Sequence, residues 1–136
     1  MGVSGVEHIG IAVRELDQAI RLYEKILGVK CYKQEIVPEQ KVRTAFFMAG
    51  NTKIELLEST DPEGPIGKFI EKRGEGIHHI AFLVKDIDEQ LTYYEGEGIG
   101  LIDKKPRKGA EGLDIAFLHP KSTNGALIEV CDEKKE

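Results

Sequence analysis

Four polar residues of this 136-residue chain stand among apolar strand neighbours. His8 opens the run HIGIAV and His79 opens HIAFLV, while Glu55 lies within KIELL and Glu129 within LIEVC. A carboxylate in such surroundings is costly to desolvate unless it is paired, protonated or bound to a cation. Two imidazoles and two carboxylates suit a divalent first-row metal, because the carboxylates balance its charge and the histidines supply borderline nitrogen donors. Taken singly, a strand histidine is more often a satisfied core residue, and a strand glutamate more often faces solvent. Their spacing sets these four apart: 71 residues separate the histidines and 74 the glutamates.

The histidine spacing belongs to an internal repeat. At the same offset RELDQAIRLYEKILG, from Arg14, lies against KDIDEQLTYYEGEGI, from Lys85, which pairs Leu16 with Ile87, Asp17 with Asp88, Ile20 with Leu91 and Tyr23 with Tyr94. AFF at 45–47 then matches AFL at 116–118. The offset grows to 74 at the glutamates, so three extra residues fall in the HPKSTNG loop.

Each half reads as βαβββ. Alternation over 8–13 puts His8, Gly10 and Ala12 on one face and Ile9, Ile11 and Val13 on the other. A helix begins near Asp17, carries Leu16, Ala19, Ile20, Tyr23 and Leu27 at helical spacing, and ends at Gly28. Strands are expected at about 30–36, 42–49 and 52–58, the last two joined by a turn on Gly50 and Asn51. The second half repeats this with strands near 79–84, 100–103, 113–118 and 126–131 and a helix near 87–97. The expected fold is α+β: one domain over 1–136, built of modules at about 5–60 and 76–132 with a connector at 61–75 that has room for a short helix. Two curved mixed sheets, each with a helix on its outer face, would bring the four polar residues to a metal-centred cleft. Small residues at Gly10, Ala12 and Ala81 would leave room there for a substrate. His78, adjacent to His79, points to the opposite face and reads as structural, and His119 reads as a turn residue.

Composition narrows the function. A formal charge of −5 with only short basic clusters argues against nucleic acid. No apolar run reaches the roughly 18 residues of a membrane span, and no signal segment is visible, so a cytoplasmic protein is expected. The two cysteines, Cys31 and Cys131, lie far apart in a pattern that suggests neither a disulfide framework nor a zinc ribbon.

The repeated modules with His8, Glu55, His79 and Glu129 resemble the vicinal oxygen chelate superfamily, the glyoxalase, bleomycin-resistance and dioxygenase proteins. Within it, VEHIGIAV, VPEQKVRTAFF, NTKIELLEST, GPIGKFIEKRGEGIHHIAFLV and above all FLHPKSTNGALIEV are similar to the methylmalonyl-CoA epimerases. The resemblance implies interconversion of (2R)- and (2S)-methylmalonyl-CoA by a proton shift at C2 through a metal-stabilised enolate. It implies a divalent ion, Co²⁺ first, with Mn²⁺, Ni²⁺ or Zn²⁺ as alternatives, an acyl-CoA substrate and a homodimer. Glu129 is the expected base on one face of the substrate. Some members of the family carry a glutamate for the other face on the strand after the PEQ segment. The matching residue here is Thr44, too weak an acid for that task, which leaves Glu55, another carboxylate or a water for the second step. Thr44, Arg107, Lys121 and Ser122 are the expected substrate contacts, the last three toward the CoA end. The alternatives kept open are a glyoxalase I-like lyase acting on a glutathione hemithioacetal, and a metal-free resistance protein that binds a small molecule.

Overall fold

A computed structural model describes residues 2–132, so the ends of the expected domain, residue 1 and residues 133–136, lie outside the described residues. Packing divides the chain into two compact units, residues 8–78 and residues 79–132 with 2–7. Among the described residues three α-helices and eight strands make it an α+β protein.

In residues 8–78 the chain runs through β1 (Val3–Ala12, whose first residues group with the other unit), α1 (Leu16–Leu27), β2 (Lys33–Val37), β3 (Val42–Ala49), β4 (Thr52–Ser59) and α2 (Pro65–Arg73). The strands lie in the order β2-β3-β4-β1, with β1 parallel to β4 and the other pairs antiparallel. Ala49 pairs with Thr52 across the two-residue turn, which Gly50 enters at φ 66°. Gly28 ends α1 in the left-handed region at φ 71°, where a side chain would be strained, and its N–H bonds the Glu24 carbonyl. Alternation then sorts the faces. Val13, Ala45, Phe47 and Leu56 pack with Leu16 and Ala19 of α1 to form the core on the helix side.

Residues 79–132 repeat the plan with β5 (Gly76–Val84, whose first residues group with the other unit), α3 (Ile87–Gly96), β6 (Arg107–Lys108), β7 (Asp114–Phe117) and β8 (Ile128–Asp132), in the order β5-β8-β7-β6 with β5 parallel to β8. Val84, Ala116 and Val130 meet Ile87 and Leu91 of α3 on the helix side. Ala81, Leu113, Ile115 and Cys131 cluster on the reverse side with Leu83 and Phe117.

One expected strand is not there. Residues 100–103 contribute only an isolated bridge between Leu101 and Leu118, and Arg107–Lys108 pair with β7 instead. The cause is local. The Asp103 carboxylate accepts the Phe117 N–H at 2.9 Å, so a side chain takes the donor that a strand carbonyl would have used. Pro106, which lacks an N–H, then delays the ladder until Arg107. The first strand also starts earlier than expected, at Val3, and β2 starts later, at Lys33. Both cysteines are free thiols. Among the described residues no helix is long and apolar enough to cross a membrane.

Candidate metal and active site

In residues 8–78 the parallel register sets Gly10 of β1 beside Glu55 of β4, and His8 lies two residues earlier on the same face. His8 Nε2 comes within 3.4 Å of Glu55 Oε1. On the other flank Glu55 faces Phe46 of β3. A small residue on one side and an aromatic wall on the other thus direct the carboxylate toward the imidazole.

Residues 79–132 build the same half-site. Ala81 of β5 lies beside Glu129 of β8, Phe117 of β7 flanks the carboxylate, and His79 Nε2 stands 3.1 Å from Glu129 Oε1. The Phe117 ring meets the His79 imidazole edge-on, with centroids 5.8 Å apart, which fixes the plane of the imidazole. All four polar residues are buried, at 3–6% exposure. Burial at that level removes the solvent-facing reading of the glutamates.

A second carboxylate, three residues after each of these glutamates, points to the helix side and positions the helix. Glu58 Oε2 accepts the Leu16 N–H at 3.2 Å, and Asp132 Oδ2 accepts the Ile87 N–H at 3.0 Å. Each satisfies an amide that the first turn of a helix leaves without an intrahelical partner. The local caps differ: Asp86 also accepts the Glu89 N–H, whereas Glu15 makes no side-chain cap to α1.

The other singled-out residues find varied places. His78 packs edge-on against Phe69 of α2 at 4.9 Å, which gives it the expected structural role. His119 Nδ1 accepts the Lys121 N–H at 3.1 Å and starts a 3₁₀ turn over Pro120–Ser122. Ser122 Oγ accepts the Gly100 N–H at 2.8 Å, and Lys121 is exposed beside it. Thr44 is fully buried, paired with Glu35 on one side and Leu57 on the other, and its Oγ1 donates to the Glu35 carbonyl at 3.2 Å. Arg107 stacks its guanidinium over Phe117 at 5.5 Å, with Nε 3.1 Å from Asp103 Oδ1.

Sequence reasoning passed over Phe46 and Phe117, although both lie in the AFF and AFL match, and over Glu58 and Asp132, although both are acids at the offset of 74.

In each unit one histidine and one carboxylate are buried as a pair, and imidazole nitrogen with carboxylate oxygen is a donor set that suits a divalent cation. Comparison with known proteins bears on what such a site serves. Residues 7–117 match the model of the Glyoxalase/Bleomycin resistance protein/Dioxygenase superfamily. The uncharacterized protein YqjC of Bacillus subtilis is 47% identical over 95% of this chain and 92% of its own length. The ethylmalonyl-CoA/methylmalonyl-CoA epimerase of Cereibacter sphaeroides is 35% identical over 94% of this chain and 97% of its own. A variant of Streptomyces coelicolor methylmalonyl-CoA epimerase, solved in complex with 2-nitronate-propionyl-CoA, superposes with a TM-score of 0.93 at 34% identity, over 98% of this chain and 100% of that one. The chain therefore belongs to the glyoxalase, bleomycin-resistance and dioxygenase superfamily and, within it, to the methylmalonyl-CoA epimerase family.

Proposed function

We propose that the chain epimerises methylmalonyl-CoA at C2, and that His8, Glu55, His79 and Glu129 hold one divalent ion, Co²⁺ in first place. The observation that carries this reading is the twofold occurrence of one buried pair, His Nε2 against Glu Oε1, at repeat-related positions. A lone pair of that kind is an ordinary buried hydrogen bond. Its repetition under a repeat that has otherwise diverged points to a shared task.

The substrate's C2 proton lies between a thioester and a carboxylate, so its removal delocalises charge onto the thioester oxygen. When bound, the ion supplies Lewis-acid stabilisation for that charge. Inversion then needs a proton acceptor on one face of C2 and a donor on the other. Glu129 is the proposed base on one face. It is buried beside Ala81 and Phe117, and His79 holds its carboxylate in place. Glu55 serves as ligand and as a second carboxylate. Arg107 and Lys121 are the proposed cationic contacts for the CoA portion, Ser122 shapes the loop that presents Lys121, and Thr44 lines the face of Glu55. A cytoplasmic location and a homodimer complete the reading, and light scattering reads the second.

Proton NMR of (2R)- or (2S)-methylmalonyl-CoA in D₂O with the metal-loaded protein tests the activity, by following loss of the C2 proton signal together with product stereochemistry. Metal-dependent exchange with inversion is the expected result. A protein that retains its ion and leaves both epimers untouched overturns the assignment, and the glutathione hemithioacetal then becomes the substrate to try.

A further inference from the structure

Two-sided proton transfer requires a second acid or base, and the strand register narrows the choice. In residues 8–78 Lys33, Phe46 and Glu55 lie in one cross-strand row, and Glu35, Thr44 and Leu57 lie in the next. All six therefore share the face that His8 occupies. On the four strands of this unit, among the described residues, two carboxylates stand on that face: Glu55 and Glu35.

Glu35 differs from Glu55 in the way a proton shuttle should. Its side chain is 29% exposed against 5% for Glu55, so it is partly desolvated yet open to exchange with water. Lys33 Nζ lies 3.8 Å from its Oε1, and the Thr44 hydroxyl holds its backbone by donating to its carbonyl. The repeat-related row of the other unit sharpens the contrast. There the residue matching Thr44 is Ile115, whose cross-strand partner is Arg107. One unit presents a carboxylate and the other a guanidinium at the same place in the ladder, so the fold itself does not demand an acid there.

We infer that Glu35 is the second acid–base group, acting on the face of C2 opposite Glu129. This rests on the epimerase reading above. In one direction the Glu35 carboxylate takes the C2 proton, and the electron pair of the C–H bond passes into the enolate. The Glu129 carboxylic acid then delivers a proton to the other face, forming the new C–H bond with inverted configuration. Glu35 is left protonated and Glu129 ionised, and exchange with water restores both. The reverse direction exchanges the two roles.

Glu35→Gln and Glu35→Asp, each loaded with metal and checked for unchanged melting temperature and metal content, test the inference with both epimers in D₂O. For Glu35→Gln the expected result is a fall in epimerisation of roughly 10²-fold or more, as for the loss of a general base. One epimer should still exchange its C2 proton for deuterium with retention, through Glu129. Glu35→Asp should keep measurable inversion. Inversion within twofold of wild type in the Gln variant overturns the inference. So does an equal loss of exchange for both epimers, since that marks a positioning residue. Failure of the epimerase reading itself would appear separately, as a wild-type protein that exchanges neither epimer.

Discussion

Residues 8–78 and 79–132 keep the same side chains around their buried glutamates and part company at β2 and β6. Histidine, small residue, glutamate and phenylalanine recur as His8, Gly10, Glu55 and Phe46 and as His79, Ala81, Glu129 and Phe117. The carboxylate that holds the first amide of the helix recurs too, as Glu58 and Asp132. Its cross-strand partner does not. Glu58 faces Arg43, whose Nη1 lies 2.9 Å from Glu58 Oε1, while Asp132 faces Asp114, whose Oδ1 takes Lys108 Nζ at 2.8 Å. Like charges directly opposite one another destabilise a ladder, so the second unit draws its compensating cation from the edge strand. At that edge Glu35 in one unit answers to Arg107 in the other. The two halves thus share the buried histidine–glutamate pair and differ in the charged residue on the edge strand of each.

Breaking the shared part should have the largest effect. His8→Ala or His79→Ala should lower metal retained after dialysis, read by elemental analysis, from about one ion per chain to background. Full retention in either variant would remove that unit's pair from the proposed site. Next in size, Glu129→Gln should reduce turnover by roughly 10²-fold or more, about 2.7 kcal/mol of barrier, with the fold intact. Glu55→Gln should instead weaken metal affinity more than turnover at saturating metal. Equal losses of turnover in the two variants would erase the division of labour between the halves.

The supporting carboxylates should give smaller effects that still distinguish the units. Asp132→Ala should cost about 2 kcal/mol in urea unfolding, because the Ile87 amide is left buried without its acceptor. Glu58→Ala should cost about 1 kcal/mol, since its side chain is 22% exposed and water can reach the amide it leaves. Smallest of all, Ser122→Ala should lose under about 1 kcal/mol, the worth of one exposed hydrogen bond to the Gly100 amide. A loss well above that would mean that the loop carrying Lys121 is tied to more than this bond.

Much of the candidate site was legible because strand geometry has a period of two and the repeat has a fixed offset. Those two facts alone put His8 and His79, and Glu55 and Glu129, on equivalent faces. The missing strand at 100–103 is not legible in the sequence, because competition between the Asp103 carboxylate and a backbone carbonyl for the Phe117 N–H depends on a loop bringing them together. Glu58 as the acceptor for the Leu16 amide, across a separation of 42 residues, is equally a product of tertiary packing.

By itself the sequence determined the repeat, the βαβββ order, the two histidines and two glutamates and the faces they occupy, since each follows from short-range periodicity and spacing. Tertiary structure decided the registers. Pairing β2 with β3 sets Glu35 across from Thr44, and pairing β6 with β7 sets Arg107 across from Ile115. A slip of one residue in either edge strand would have turned those side chains to the helix side, and nothing in the local sequence of an exposed edge strand forbids such a slip. Only the loops that carry each edge strand to its neighbour select which charged side chain stands on the face of the buried glutamates.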